Sequence, residues 1–251
     1  MSSRKQKILA AALIVIALIG MAAGAAFGYL SAQTGPVQNT FTPDQEMDPS
    51  IVETFENNIK SDVKVDVGNP GYAVYVRAAI VVTWENGTNI YSQKPEVDVD
   101  YAITLKLDTP SASSDNENAW IYNPDDGFYY HKTMVNSGST AVLIESCSQK
   151  VAAPEGYQLH VEIIAQTIQA LGTTDVGDVP AVTDAWGIRV DGNDKLYNTV
   201  KVASGNTLSG IASTYGTTID AIVNIEENGI TDPNSIVVDN VIYLPNVKKS
   251  T

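Results

Sequence analysis

The soft nucleophiles and imidazole bases of this sequence are few: Cys147, His131 and His160. A cysteine nucleophile needs a cationic neighbour or a helix N-terminus to become thiolate. Cys147 instead ends the apolar run Ala141-Val-Leu-Ile-Glu-Ser, where a half-buried structural thiol is expected. His160 alternates with Leu159 and Val161 and reads as a solvent-face strand residue, and His131 follows two tyrosines in a similar pattern. Three such residues far apart give no zinc spacing. One cysteine also rules out an intrachain disulfide framework.

Carboxylates are plentiful, in clusters around Asp98 and Asp100, Asp115 and Glu117, and Asp125 and Asp126. Calcium needs about six to eight oxygens converging on one point. Asn123-Pro-Asp-Asp-Gly127 is too short for that by itself and reads as a hairpin turn. Spacing alone leaves a carboxylate pair for glycoside hydrolysis open, but no strand-end or helical arrangement points to one. No cofactor, metal ligand or catalytic residue is assigned. The reading is therefore a binding protein, with a hydrolase as the alternative.

The formal charge is −14, with a pI near 4.4. Without Arg4, Lys5 and Lys7 the balance is 12 basic against 29 acidic residues, or −17. Such a surface repels phosphates, which argues against nucleic acid or anionic lipid as a partner. Residues 1–26 carry a basic start, an apolar run from Ile8 to Gly20 and small residues through Ala26, the layout of a signal peptide. Ile8 to Leu30 is also long enough to span a bilayer as an uncleaved anchor. Either way the remainder lies outside the cytoplasm.

Residues 27–60 are polar and turn-rich, a solvated segment or a first edge strand. From 61 to 190 short β patterns alternate with turns. Val63 to Val67 and Tyr101 to Leu107 alternate at period two, and Tyr72 to Trp84 has the composition of a strand buried on both faces. Asn86-Gly87 is a hairpin signal. Further strands are expected at Ala119–Tyr122, Phe128–Met134 and Ala141–Ser146. Gln158 to Ala170 fits a strand, although its second half also fits a helix. The expectation is a mainly β chain, an antiparallel jelly-roll-like β-sandwich.

A polar linker, 191–196, leads to a different pattern at 197–247. Thr199 to Val202 alternates as a strand, and Asn206 or Thr207 can cap the helix that follows. Leu208, Ile211, Ala212 and Tyr215 lie on one helical face. Gly216 supplies a left-handed stop, and Thr217 to Asp220 has the spacing of a capping box for a second helix burying Ile219, Ile222 and Val223. Val241 to Leu244 closes a small α+β (βααβ) unit.

That unit closely resembles a LysM domain, through Ser204-Gly-Asn-Thr-Leu208, Ile230-Thr-Asp-Pro-Asn-Ser-Ile236 and Leu244-Pro245. Asn206 replaces the family's common Asp, and Asp239-Asn240 stands where Gly-Gln is usual. The resemblance implies binding of peptidoglycan or a related N-acetylglucosamine polymer in a shallow groove between two loops. It assigns Ser204, Gly205, Asn206, Thr207 and Leu208 to one side, with Asn228, Gly229 and Ile230 on the other. The middle region resembles the TasA/camelysin-like exported proteins of Gram-positive bacteria. This likeness rests on Asn39-Thr-Phe-Thr, Val63-Lys-Val65, Tyr75-Val-Arg-Ala-Ala-Ile80, Asp126-Gly-Phe-Tyr-Tyr130, Ile144-Glu-Ser-Cys147, Val161 to Ala170 and Ala185-Trp-Gly187. It implies a jelly-roll sandwich, secretion to the cell wall of a Gram-positive bacterium and, in some members, homopolymeric biofilm fibres. Membrane contact is expected only through residues 8–30, if they are uncleaved.

Overall fold

The computed structural model describes residues 48–108, 119–170, 186–190 and 196–249. The signal or anchor segment lies outside them, as do Asp115 and Glu117. Among the described residues no helix is long and apolar enough to cross a membrane.

The alternating segments form antiparallel strands in two facing sheets. The first sheet runs β1 (Ser50–Glu56), β2 (Ile59–Asp66), β8 (Ile144–Gln149) and β5 (Tyr101–Leu105). The second runs β4 (Asn89–Ile90), β3 (Val74–Asn86), β7 (Tyr129–His131) and β6 (Trp120–Tyr122), with β9 (Gln158–Gln169) also paired to β3. After β2, β5 and β8 the next strand lies in the opposite sheet, so the chain crosses the core repeatedly. Val63 and Val65 of β2 meet Val74, Val76 and Ala78 of β3 in that core, together with Trp120, Ile144 and Cys147. Period-two alternation on both strands puts these side chains on the facing surfaces.

β9 is one unbroken strand. Its register with β3 runs without a shift from Val74↔Gln169 to Glu85↔Gln158, so its second half is strand rather than helix. The Asn86-Gly87 turn forms as expected, with Asn86 paired to Asn89 and Gly87 at φ 57°. The end of the 27–60 segment holds β1, an edge strand that pairs only with β2 among the described residues and packs Ile51 on the core.

A third sheet follows: β10 (Ile188–Val190), β11 (Leu196–Lys201) and β12 (Val241–Leu244), in that order. Val200, Val202, Ile242 and Leu244 pack against Leu208, Ile211 and Ala212 of α1 (Leu208–Thr214) and Ile222 of α2 (Ile219–Val223). These helices have seven and five residues, too short to persist alone, so the sheet stabilises them. Gly216 stops α1 at φ 62°, as its position predicts. The second helix is capped one residue later than the capping-box spacing suggests. Thr218, not Thr217, accepts from the Ala221 amide at 3.1 Å.

The sandwich and the third sheet share a core of their own. Tyr75 and Tyr130 on the outer face of the second sheet pack with Ile188 and Leu196, flanked by Phe128, Ile168 and Trp186. This explains why the first half of β3 is buried on both faces. Val74, Val76 and Ala78 point into the sandwich, while Tyr75 and Arg77 point toward the terminal unit. Between those aromatics the Arg77 guanidinium lies 4.2 Å from the Phe128 ring centroid and 4.6 Å from that of Trp186. It donates to the Tyr130 hydroxyl at 3.0 Å, and its Nε donates to Gln166 at 2.8 Å. Polar bonds finish the joint. Asn123 Nδ2 donates to Asn198 Oδ1 (2.9 Å, buried), Asn246 Nδ2 to the Tyr122 carbonyl (2.8 Å), and the Lys249 amide to Asp125 Oδ1 (2.9 Å).

His131 departs from its sequence reading. It is buried, not on a solvent face, because Tyr130 takes the outward phase of β7 and leaves Tyr129 and His131 toward the core. Its ring sits edge-on to Trp120 at 5.2 Å. Nε2 accepts from the Ala141 amide (3.3 Å), so Nδ1 carries the proton and donates to the Thr133 carbonyl (2.7 Å). Burial holds its pKa below the ordinary value of 6.5. The unfolded chain therefore takes up the proton first as pH falls. The stability that neutral His131 provides is complete above pH 6.5 and is lost as pH drops toward the folded value. The slope is up to about 1.4 kcal/mol per pH unit. Thermal melting of the native protein and His131→Gln from pH 7.5 to 5 checks this: the variant should lack that part of the acid sensitivity.

Candidate functional site

Cys147 is buried within β8 rather than at a strand end, and burial pushes its thiol above the usual range, the opposite of an activated nucleophile. His160 lies on the solvent side, as its alternation predicts, 3.0 Å from Glu85. The acidic turn at 123–127 is occupied by its own bonds. Asn123 Oδ1 accepts from the Asp125 amide (3.0 Å), Asp126 Oδ1 from the Phe128 amide (2.9 Å), and Asp126 Oδ2 from the Tyr130 hydroxyl. Burial raises the Asp126 pKa despite Arg77 nearby. This turn belongs to the joint between the two units. Asp100 is likewise engaged, accepting from the Glu96 amide at 2.8 Å.

The loop between β11 and α1 is exposed from Ser204 to Thr207. Gly205 has φ 86°, a left-handed conformation that explains glycine at this position. Asn206 Oδ1 accepts from the Ala203 amide at 2.8 Å, closing the turn. Of the two capping candidates Thr207 is the one used, accepting from the Gly210 amide at 3.1 Å. Leu208, assigned by resemblance to the groove, is 2% exposed and packs in the module core. Thr207→Ala should cost about 1 kcal/mol in urea unfolding while leaving the loop in place.

On the second side, Asn228 ends a 3-10 turn, Glu226–Asn228. Its side chain is used completely by the fold. Nδ2 donates to the carbonyls of Ile222 and Tyr243, both at 2.8 Å, and Oδ1 accepts from the Tyr243 amide at 2.7 Å. Asn228 thus ties α2 and the 3-10 turn to the edge of β12. Gly229 follows at φ 56° and is exposed, and Ile230 packs half-buried on the module core. The turn before β12, where this sequence departs from the usual Gly-Gln, is built with Asp239 at φ 72° and its amide bonded to the Val202 carbonyl (2.8 Å).

A cavity of about 340 Å³ adjoins the first loop, lined by Asn206, Thr207, Thr214 and Tyr215 over Val200 and Ile211. Its lining includes none of Asn228, Gly229 and Ile230. Tyr215 was legible only as part of the helix's apolar face, and Thr214 carried no sequence signal. A second, larger cavity of about 850 Å³ opens between the β1–β2 hairpin and β8–β9, with Phe55, Ile59, Val151 and Leu159 among its walls.

A family model described as LysM domain matches residues 200–245. No curated protein and no solved structure matches the chain. The matched span runs from within β11 to just past β12 and holds both helices and both loops. Residues 200–245 are therefore a LysM domain, a module that binds N-acetylglucosamine polymers of the peptidoglycan and chitin type, joined here to a mainly β, antiparallel sandwich.

Proposed function

We propose that this is an exported, non-enzymatic cell-wall protein of a Gram-positive bacterium that grips peptidoglycan through its LysM domain and displays the sandwich. The observation that carries this reading is the exposed 204–207 loop on a module matched by the LysM family model. In this reading Ser204, Gly205, Asn206 and Thr207 meet the sugar from one loop and Gly229 and Ile230 from the other. Leu208 and Asn228 hold those loops in place from beneath. Short polar groups and backbone amides above apolar flanks suit N-acetyl and hydroxyl groups. The apolar run at residues 8–20 and the net charge of −14 support export. Sedimentation of the full chain with purified peptidoglycan tests the reading. Ser204→Trp and Gly229→Asn together should weaken retention by about tenfold. Unchanged retention would overturn the assignment.

A second reading is favoured by the larger cavity. It lies between the first sheet's edge strand β1 and β9 of the second sheet, and Phe55 beside it is 66% exposed. An extended segment from residues 27–45 of another copy would add a strand there, giving a homopolymer. Light scattering decides it: deletion of residues 27–45 should abolish concentration-dependent assembly. A native protein that stays monomeric across concentration would remove this reading.

A further inference from the structure

The cavity beside α1 has features the two sugar loops do not need. It begins at Asn206 and Thr207 of the first loop and ends at Tyr215. Its volume, about 340 Å³, falls within the roughly 300–1,000 Å³ of small-molecule sites. The floor is apolar, Val200 and Ile211, and the rim is polar. Asn206 uses Oδ1 for the Ala203 amide, and its Nδ2 has no hydrogen-bond partner among the described residues. The Thr207 hydroxyl accepts from Gly210 and keeps its hydrogen to give, while the Thr214 hydroxyl donates to the Gly210 carbonyl and keeps lone pairs to accept.

Outside the cavity's lining, but against its Tyr215, stands a cation. The Lys249 ammonium lies 4.8 Å from the Tyr215 ring centroid and forms no ion pair among the described residues. It is placed there by the joint between units, because the Lys249 amide bonds Asp125 Oδ1 of the sandwich at 2.9 Å. Lys201, by contrast, is neutralised by Asp239 at 3.1 Å. On a chain of net charge −14, a positioned lysine without a carboxylate is a selective feature. A neutral glycan has no use for it.

We infer that the cavity is a second subsite for the same polymer, which takes a carboxylate-bearing sugar next to the one held by the loops. The carboxylate lies toward Lys249 and the sugar's apolar face over Tyr215. This inference rests on the glycan-binding reading and narrows it. The preferred ligand is a polymer alternating N-acetylglucosamine with an acidic sugar, the chemistry of a peptidoglycan strand whose lactyl carboxylates carry no stem peptide, over a neutral chitin-type chain. Lys249 is a specificity residue here, and the sandwich positions it.

Calorimetry on the full chain tests this with two tetrasaccharides: one of N-acetylglucosamine alone, the other alternating it with N-acetylmuramic acid bearing free lactyl carboxylates. The acidic ligand should bind about tenfold tighter at low salt, and the difference should shrink at 1 M salt as screening rises. Lys249→Gln should erase the preference and leave the neutral ligand unchanged. Thr214→Trp, which fills the cavity from an exposed position, should weaken the acidic ligand by a similar factor. Equal affinity for the two ligands, or a preference that survives Lys249→Gln, overturns the inference while the glycan-binding reading stands. Failure of the native protein to bind either ligand overturns both.

Discussion

Arg77→Ala is expected to destabilise the protein by about 3–4 kcal/mol and to loosen the terminal unit from the sandwich. The guanidinium is stacked between Phe128 and Trp186 and bonded to Tyr130 and Gln166, in a site only 8% exposed. Alanine removes both ring contacts and two charge-assisted bonds, and it leaves a void among Phe128, Tyr130 and Trp186. It also takes away the cation 3.8 Å from Asp126, whose carboxyl is already pushed up by burial. That carboxyl should rise further. Because protonation then favours the folded state, the deficit should be greatest at neutral pH and shrink as pH falls through the raised value. Arg77→Lys should recover little, since an ammonium cannot reach Gln166 and Tyr130 at once while stacking on two rings. Urea unfolding at two pH values measures the deficit, and amide relaxation by NMR shows whether the module then tumbles separately. A loss under 1 kcal/mol would mean that the aromatic contacts do not need the cation.

Asn228→Ala comes next, with an expected cost of about 3 kcal/mol confined to the LysM module. Three bonds disappear together, and the amide of Tyr243 and the carbonyls of Ile222 and Tyr243 lose a partner. Asn228→Asp separates the donor and acceptor roles. It keeps an acceptor for the Tyr243 amide but turns two donations into repulsions, so it should be no better than alanine at neutral pH. Hydrogen exchange should show faster opening of α2 and β12 in both variants, with β3 and β9 protected as before. Exchange that quickens equally in the sandwich would contradict this placement of the residue.

Much of the architecture was legible because its signals are local. Period two marked Val63–Val67 and Tyr101–Leu107, and composition marked Tyr72–Trp84 as buried on both faces, which β3 is in its first half. In the terminal unit the stop at Gly216, the face of α1 and the closing strand all fell where spacing put them. What failed was phase and distance. His131 follows Tyr129 and Tyr130, and nothing in that trio says which residue faces the core. Thr217 and Thr218 are chemically alike, so the cap could not be chosen between them. Arg77 is the one charged residue in the run from Tyr72 to Trp84, and nothing local in that run names its partners. Its partners Tyr130 and Gln166 lie 53 and 89 positions away. Asn123 and Asn198 are 75 apart. At the candidate site the residues of the first loop were readable from their motif, but the structural role of Asn228 was not. Its three bonds go to backbone atoms whose positions exist only once the module has closed.

The joint through Ile188, Leu196, Asn123–Asn198 and Arg77 also bears on how copies of this protein would stand beside one another. A module on a slack tether lets its cargo point anywhere, whereas this one fixes the heading of the sandwich relative to the loop at Ser204. Copies gripping one glycan strand would share a common polarity, each turning the β1 and β9 edges the same way. Neighbours would then meet at high local concentration in one repeated alignment, so that the polymer acts as a ruler for whatever the sandwich contacts.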